Sequence, residues 1–208
     1  MFIKISISLF YLAFIFFNTY GQILEWQKHF SQNDNAVGNK LKVDNSGNIY
    51  VVGNHSHDYL ILKYNPSGNL IWSKTYNQGA TYSKALDIIC DSTFIYITGY
   101  TGQNSVANLT TIKYDSSGNI IWYKNFPGIN SSSADKAFIT IDSYKNIIVL
   151  GSIATGANGL DIVTVKYSND GEQQWYRVKN GTANKDDFAA GLALDSLGYI
   201  YISNTICI

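Results

Sequence analysis

Two imidazoles and a carboxylate stand together at His55-Ser56-His57-Asp58, a residue set able to ligate zinc or another first-row divalent metal. The stretches Asp44-Asn45-Ser46-Gly47-Asn48 and Asp115-Ser116-Ser117-Gly118-Asn119 have part of the oxygen pattern of a calcium loop. Lysine precedes tyrosine at Lys63, Lys113 and Lys166, and Trp72, Trp122 and Trp175 offer flat faces on which a sugar could stack. Asp135, Asp186 and Asp187 are the acids placed closest to a carboxylate-catalysed hydrolysis. No nucleophile motif, phosphate-cradling glycine loop, zinc spacing or basic stripe accompanies them.

Periodicity bears on every one of these groups. Lys63-Tyr64-Asn65-Pro66-Ser67-Gly68-Asn69-Leu70-Ile71-Trp72 returns as Lys113-Tyr114-Asp115-Ser116-Ser117-Gly118-Asn119-Ile120-Ile121-Trp122, and again from Lys166-Tyr167 to Trp175, the starts lying 50 and then 53 residues apart. A period of that size belongs to propeller blades. Counted back from the three lysines, Asp58 matches Asn108 and Asp161, a recurring strand entry. His55 and His57, however, give way to Ser105 and Ala107, then to Asn158 and Leu160, which reads as an exposed loop with incidental histidines. His55, His57 and Asp58 therefore stand as the weak metal candidates, with no cofactor expected. The lysines and tryptophans occur once per unit, which suits a structural or edge-solubilising role and core packing better than catalysis. The Asp-x-x-Gly stretches run straight into apolar residues and read as turns.

A second element recurs: Leu41 to Gly53, Ile88 to Gly99, Ile139 to Gly151, and Leu192 to Ser203. Each unit is thus two hairpins, giving strand, turn, strand, loop, strand, turn, strand. Asn65-Pro66-Ser67-Gly68 and its relatives predict type I turns closed by a left-handed glycine and a bulge. Asp91-Ser92-Thr93-Phe94 is one residue short, and Lys145 holds the glycine position after Asp142, so both of those turns are expected to differ in geometry. Alternation groups Leu60, Leu62 and Tyr64 on one side of a strand, while Ile61 on the other predicts sheets covered on both faces. Units are expected at about 36–76, 82–126 and 134–179, with a partial unit at 186–204, and Trp26 in an orphan strand resembling the one that holds Trp72.

The pattern Asp-x-x-Gly-Asn-Ile-Tyr-Val-x-Gly, then Ile-x-Lys-Tyr-x-x-x-Gly-x-x-x-Trp, and Asp187-Phe188-Ala189-Ala190-Gly191-Leu192-Ala193-Leu194-Asp195 resembles the bacterial β-propeller repeats known as SBBP repeats. The likeness covers nearly all of residues 22–208, and the Tyr-, Asn- and Lys-rich style resembles secreted proteins of the Bacteroidetes. What the resemblance implies is an all-β scaffold of four-stranded antiparallel blades, secreted or surface-associated, commonly without an assigned activity. About three and a half repeats make an incomplete or truncated propeller, or a four-bladed ring with a three-stranded last blade. Its open edges would invite self-association.

The whole chain is consistent with that scaffold. Its 208 residues carry 15 basic and 15 acidic side chains and 46% hydrophobic residues, with 17 glycines, 16 tyrosines and only two prolines. Balanced charge gives no reason to expect a nucleic-acid partner. Residues 1–21, with Lys4 ahead of an apolar run from Ile5 to Phe17 and Thr19-Tyr20-Gly21 at the end, read as a secretory signal cleaved before Gln22. The run is too short for a membrane span, and no lipoprotein cysteine follows. Cys90 and Cys207 are read as unpaired, and sequons at Asn54, Asn108, Asn130 and Asn180 as chance matches. The function expected is a secreted, noncatalytic module with a structural role or an unknown protein or glycan ligand. The rival is an extracytoplasmic glycan hydrolase or lyase with loop-borne carboxylates.

Overall fold

A computed structural model of the chain describes residues 26–28, 30, 36–104, 106–128, 135–156, 159–183 and 185–207. The signal expected over residues 1–21, the Asn130 sequon and part of the Trp26 stretch lie outside them. The all-β expectation holds, and among the described residues every regular element is a strand. The first sheet comprises β1 (Ala36–Val43), β2 (Ile49–His55), β3 (Asp58–Tyr64) and β4 (Leu70–Tyr76). The second comprises β5 (Tyr82–Cys90), β6 (Phe94–Gln103), β7 (Val106–Asp115) and β8 (Ile120–Pro127). The third comprises β9 (Ala137–Ile141), β10 (Ile147–Ile153), β11 (Asp161–Tyr167) and β12 (Gln173–Lys179). A terminal hairpin, β13 (Phe188–Leu194) and β14 (Ile200–Thr205), completes the set. Each sheet is an antiparallel meander in chain order.

The sheets pack face to face in succession, because the period of two sends alternate side chains to opposite neighbours. Tyr59 and Ile61 of β3 turn to the second sheet and share a cluster with Ile95, Ile97, Ile112 and Tyr114. Leu60, Leu62 and Tyr64 turn away, toward Trp26 and Phe30. Tyr96, Tyr100 and Leu109 of the second sheet meet Ile139, Val149, Val163 and Val165 of the third. Leu150 and Ile162 of the third meet Ala189 of the terminal hairpin. Trp26 and Lys28 belong to no strand, although a strand was expected there.

The first strands of the units, β1, β5, β9 and β13, lie beside one another in order. Polar groups stitch the units together at or next to these strands. Asn39 Nδ2 donates to the Ala85 carbonyl at 2.8 Å, Ile139 N–H to Asp87 Oδ2 at 3.0 Å, and Ala189 N–H to Ser152 Oγ at 2.7 Å. β1 and β5 each carry a bulge, between Gly38 and Lys40 and between Ala85 and Asp87. A Cβ on Gly53 would stand 1.8 Å from the Val37 carbonyl oxygen, and one on Gly99 2.0 Å from that of Lys84. Backbone approach at the bulge is thus what requires the recurring glycine at the end of Tyr-Val-Val-Gly and Tyr-Ile-Thr-Gly.

The expected turns form at Asp44, Asn65, Asp115 and Asp195, each with Gly at positive φ and an N–H from that Gly to the first residue's carbonyl. The Asp142 turn corrects the expectation of a different geometry. Lys145 adopts φ 66° and donates N–H to the Asp142 carbonyl at 3.0 Å, reproducing the glycine turns with a side chain present. The strain is held by Asp142, which accepts the N–H groups of Tyr144 and Asn146. Only the Asp91 turn is different, a shorter loop closed by Asp91 N–H to the Phe94 carbonyl.

A left-handed conformation costs a non-glycine residue about 1–2 kcal/mol, whereas the half-exposed Lys145–Asp91 ion pair, at 3.4 Å, is worth about 0.2–1 kcal/mol. Lys145→Gly is therefore expected to leave the urea midpoint unchanged or raise it slightly. Gly99→Ala is expected to lower stability by about 2 kcal/mol or more. A Lys145→Gly variant less stable than the parent by more than about 1 kcal/mol would show that the ion pair outweighs the strain.

Candidate functional site

The lysines and tryptophans of the repeat meet at one place per unit. Lys63 and Trp72 are opposite each other across β3 and β4, as are Lys113 with Trp122 and Lys166 with Trp175. From the first sheet, Lys63 Nζ and Trp72 Nε1 both donate to the Ser116 carbonyl in the turn of the second, at 2.9 and 3.2 Å. From the second, Lys113 Nζ and Trp122 Nε1 both donate to the Asn169 carbonyl in the turn of the third, at 2.9 and 3.0 Å. Trp26 Nε1 likewise donates to Pro66 O at 3.1 Å, the same turn position in the first sheet. A carbonyl oxygen has two lone pairs, and in two of these latches both are used.

The turn glycine completes the latch. A Cβ on Gly68 would come 2.7 Å from the Trp26 ring, one on Gly118 3.2 Å from Trp72, and one on Gly171 3.0 Å from Trp122. Each indole therefore lies on a left-handed glycine of the next unit, with its N–H on that turn's carbonyl. Aromatic rings line the lysine: Lys63 Nζ lies 5.2 Å from the Tyr50 ring centre, and Lys113 Nζ 3.8 Å from Phe94 and 5.4 Å from Tyr96. Lys113 is 2% exposed, and burial pulls its pKa below the ordinary lysine value, against the raising effect of Asp170 and Asp91. The structural reading of the lysines stands, with the correction that Lys63 and Lys113 are buried clamps and solubilise no edge. Sequence reasoning singled out the residues and missed that they bind the following unit; the constant offsets from Lys to Gly to Trp were the available signal.

The third unit differs. Trp175 donates no hydrogen bond among the described residues, and its ring is met by Arg177, whose guanidinium carbon lies 5.7 Å from the ring centre. Lys166 Nζ pairs instead with Asp142 Oδ2 at 2.9 Å and keeps a fifth of its side chain exposed.

The metal candidates sit in a tight hairpin. His55 ends β2 opposite Asp58, the first residue of β3, with Ser56 and exposed His57 forming the turn, Ser56 at φ 53°. Asp58 Oδ1 accepts from Asn77 Nδ2 at 2.5 Å. Among the described residues, no group of three or more His, Cys, Asp or Glu could hold a metal ion. Cys90 and Cys207 are free, the first lying against the Val43 carbonyl and the second against that of Asp186.

The acids are occupied by structure. Asp135 pairs with Lys84 at 2.8 Å, and Asp186 accepts Leu160 N–H at 2.8 Å. Asp187, fully buried, accepts the N–H groups of Gly181 and Cys207 and so ties both ends of the terminal hairpin to the loop after β12. Two carboxylates do share a groove of about 380 Å³, lined by Thr140, Asp142, Ser143, Leu194 and Asp195 among others. Both are turn caps. Asp195 accepts N–H from Leu197 and Tyr199 at 2.9 Å and the Tyr201 hydroxyl at 3.0 Å. Burial alone would raise Asp142 and Asp195, but the hydrogen bonds they accept outweigh it and hold both below the usual carboxylate range. A general acid needs the opposite shift. Asp87 has it: burial raises its pKa against the N–H groups of Ile139 and Ile88, yet its oxygens are committed to those two groups at the junction of the units.

No protein-family model and no curated protein matches the chain. Among the described residues no helix is long and apolar enough to cross a membrane.

Two predictions follow from the latch and the caps. Trp122→Ala is expected to cost about 3 kcal/mol in urea unfolding, and Trp175→Ala under about 1 kcal/mol, since only the former grips a turn; equal costs would refute the latch. Asp44, Asp91, Asp142 and Asp195, like Asp115 with its Asn119 N–H contact, have folded pKa values below 3.8. Their stabilisation is full above the unfolded value and disappears as pH falls through the folded values. Asp87 acts in reverse, favouring the fold below the unfolded value and losing that as pH rises. The urea midpoint is therefore expected to fall steeply below pH 3.8, and Asp142→Asn to flatten that fall.

Proposed function

We propose that the chain is a secreted, noncatalytic repeat module of the β-propeller type, related to SBBP repeats, serving as a structural domain or as a platform for a protein or glycan ligand. The observation that carries this reading is the latch. In the first two sheets the residues that recur most plainly, lysine and tryptophan, are consumed in holding the turn and glycine of the next sheet, so repetition serves assembly. Successive four-stranded meanders with first strands side by side at a common inner edge support the propeller arrangement. The apolar leader sequence supports export, and N-terminal sequencing of the exported chain is expected to begin at Gln22; retention of Met1 would overturn this.

The groove that holds Asp142 and Asp195 gives the hydrolase reading its best foothold. Incubation with a panel of plant, microbial and host polysaccharides, followed by assay of new reducing ends, separates the two. The module reading predicts none. Release that is lost in folded Asp142→Asn and Asp195→Asn variants would establish the enzyme.

A further inference from the structure

Lys63, Lys113 and Lys166 hold equivalent places in the three sheets, and each meets a different group. Lys63 Nζ donates to the main-chain carbonyl of Ser116, a residue whose side chain is only a hydroxymethyl. Lys166 Nζ pairs with Asp142, with a fifth of its side chain open to solvent, and an ionised carboxylate resists attack by an amine. Lys113 meets a carboxamide. Its Nζ lies 2.7 Å from Asn169 Oδ1 as well as 2.9 Å from the Asn169 main-chain carbonyl. Asn169 stands where the other two gripped turns have Pro66 and Ser116.

We propose that Lys113 and Asn169 are the two halves of a self-forming isopeptide bond, Nζ to Cγ, that joins β7 of the second sheet covalently to the turn between β11 and β12 of the third. This depends neither on export nor on the propeller reading. With a C=O bond of about 1.23 Å, Nζ stands within about 4 Å of Cγ, close to the roughly 3–3.5 Å of groups placed to react. Water is kept from the pair: Lys113 is 2% and Tyr96 0% exposed, and the rings of Phe94 and Tyr96 lie over Nζ. Burial favours the free amine of Lys113, the form that attacks. The Tyr96 hydroxyl donates to Asn169 Oδ1 at 3.1 Å, polarising the carbonyl where negative charge would develop. The charged groups acting on Lys113 are Asp91 and Asp170, the former also paired with Lys145, and Asp91 acts on Tyr96 as well.

The atoms balance without a co-reactant. The Lys113 ammonium gives up one proton by way of Asp91, and the free Nζ attacks Cγ while the carbonyl electron pair moves to Oδ1, held by the Tyr96 hydroxyl. A second proton passes from Nζ to Nδ2, the Cγ–Nδ2 bond breaks, and ammonia leaves, taking up the first proton as ammonium. One amide has replaced another, and escape of ammonia draws the exchange forward.

The test is tandem mass spectrometry of the folded full chain after denaturation and digestion with trypsin. A branched peptide is expected that joins residues 85–124, uncut after Lys113, to residues 167–177, lighter by one ammonia than the two apart. Assigning the loss to this branch separates it from ammonia lost elsewhere, as when an amino-terminal glutamine cyclises. Asn169→Ser, which leaves the turn like that at Ser116, and Lys113→Arg are both expected to abolish the branch, with circular dichroism showing each variant folded. In newly translated full chain the bond is expected to form faster at about pH 9 than at about pH 6, since only the free amine attacks. Tyr96→Phe is expected to slow it roughly a hundredfold. Separate, unlinked peptides 85–113 and 167–177 from folded chain held at about pH 9, or a branch that survives Asn169→Ser, would overturn the proposal. A rate unaltered by Tyr96→Phe would overturn the mechanism given for it.

Discussion

A main-chain carbonyl that receives an ammonium and an indole N–H at once is the interaction on which this stack of sheets depends. The strand-to-strand ladders run within each four-stranded meander, so the ladders by themselves give no reason for one sheet to sit on another in a given register. Apolar faces supply attraction without direction. The latch supplies direction: Ser116 and Asn169 must stand where Lys63 with Trp72, and Lys113 with Trp122, can both reach. The left-handed glycine two residues on must then present a bare backbone to the indole. Register within the sheets, set by the turns, is thereby carried across the gap between them.

Burying the ammonium looks unfavourable, since a lysine in a desolvated place pays heavily unless compensated. Among the described residues no carboxylate hydrogen-bonds to Lys113. Its partners are the neutral oxygens of Asn169, backbone and side chain, at 2.9 and 2.7 Å, with Phe94 and Tyr96 on the flanks. Carbonyl dipoles and ring faces are weaker than an ion pair but are fixed in place by the turn and the strands. They make the site specific to a turn rather than to any acidic group. The lowered pKa is the residue of that incomplete compensation.

Local order was legible in the sequence wherever it rested on a residue's own conformational preference. Alternation placed Leu60, Leu62 and Tyr64 on one side of β3, and Asx-x-x-Gly marked turns at Asp44, Asn65, Asp115 and Asp195. The Asp142 turn escaped because Lys145 is a poor left-handed residue by itself and adopts that conformation only under the hydrogen bonds to Asp142. The latch escaped for a different reason. Lys113 and Asn169 are 56 residues apart, and a period reveals that residues are equivalent without revealing which unit each one touches. The acids before β13 illustrate the same limit: Asp186 and Asp187 look available in sequence, and Asp186 Oδ1 and both oxygens of Asp187 prove to accept backbone N–H groups brought from elsewhere in the chain.

The third sheet shows how the repeat is modified where its latch stands unfilled. At the end of the fourth strand the first two sheets bury an aromatic ring, Tyr76 against Tyr123 of the next sheet and Phe126 against Tyr176. The third has exposed Lys179 there, and Arg177 lies over Trp175 where Lys74 and Lys124 lie near the turn glycines. Apolar burial has thus been withdrawn from the rim while the indole and lysine have been kept. An exposed aromatic at Lys179 would favour sticking to any apolar surface; a cation there tolerates water and still accepts a ring face or an acid.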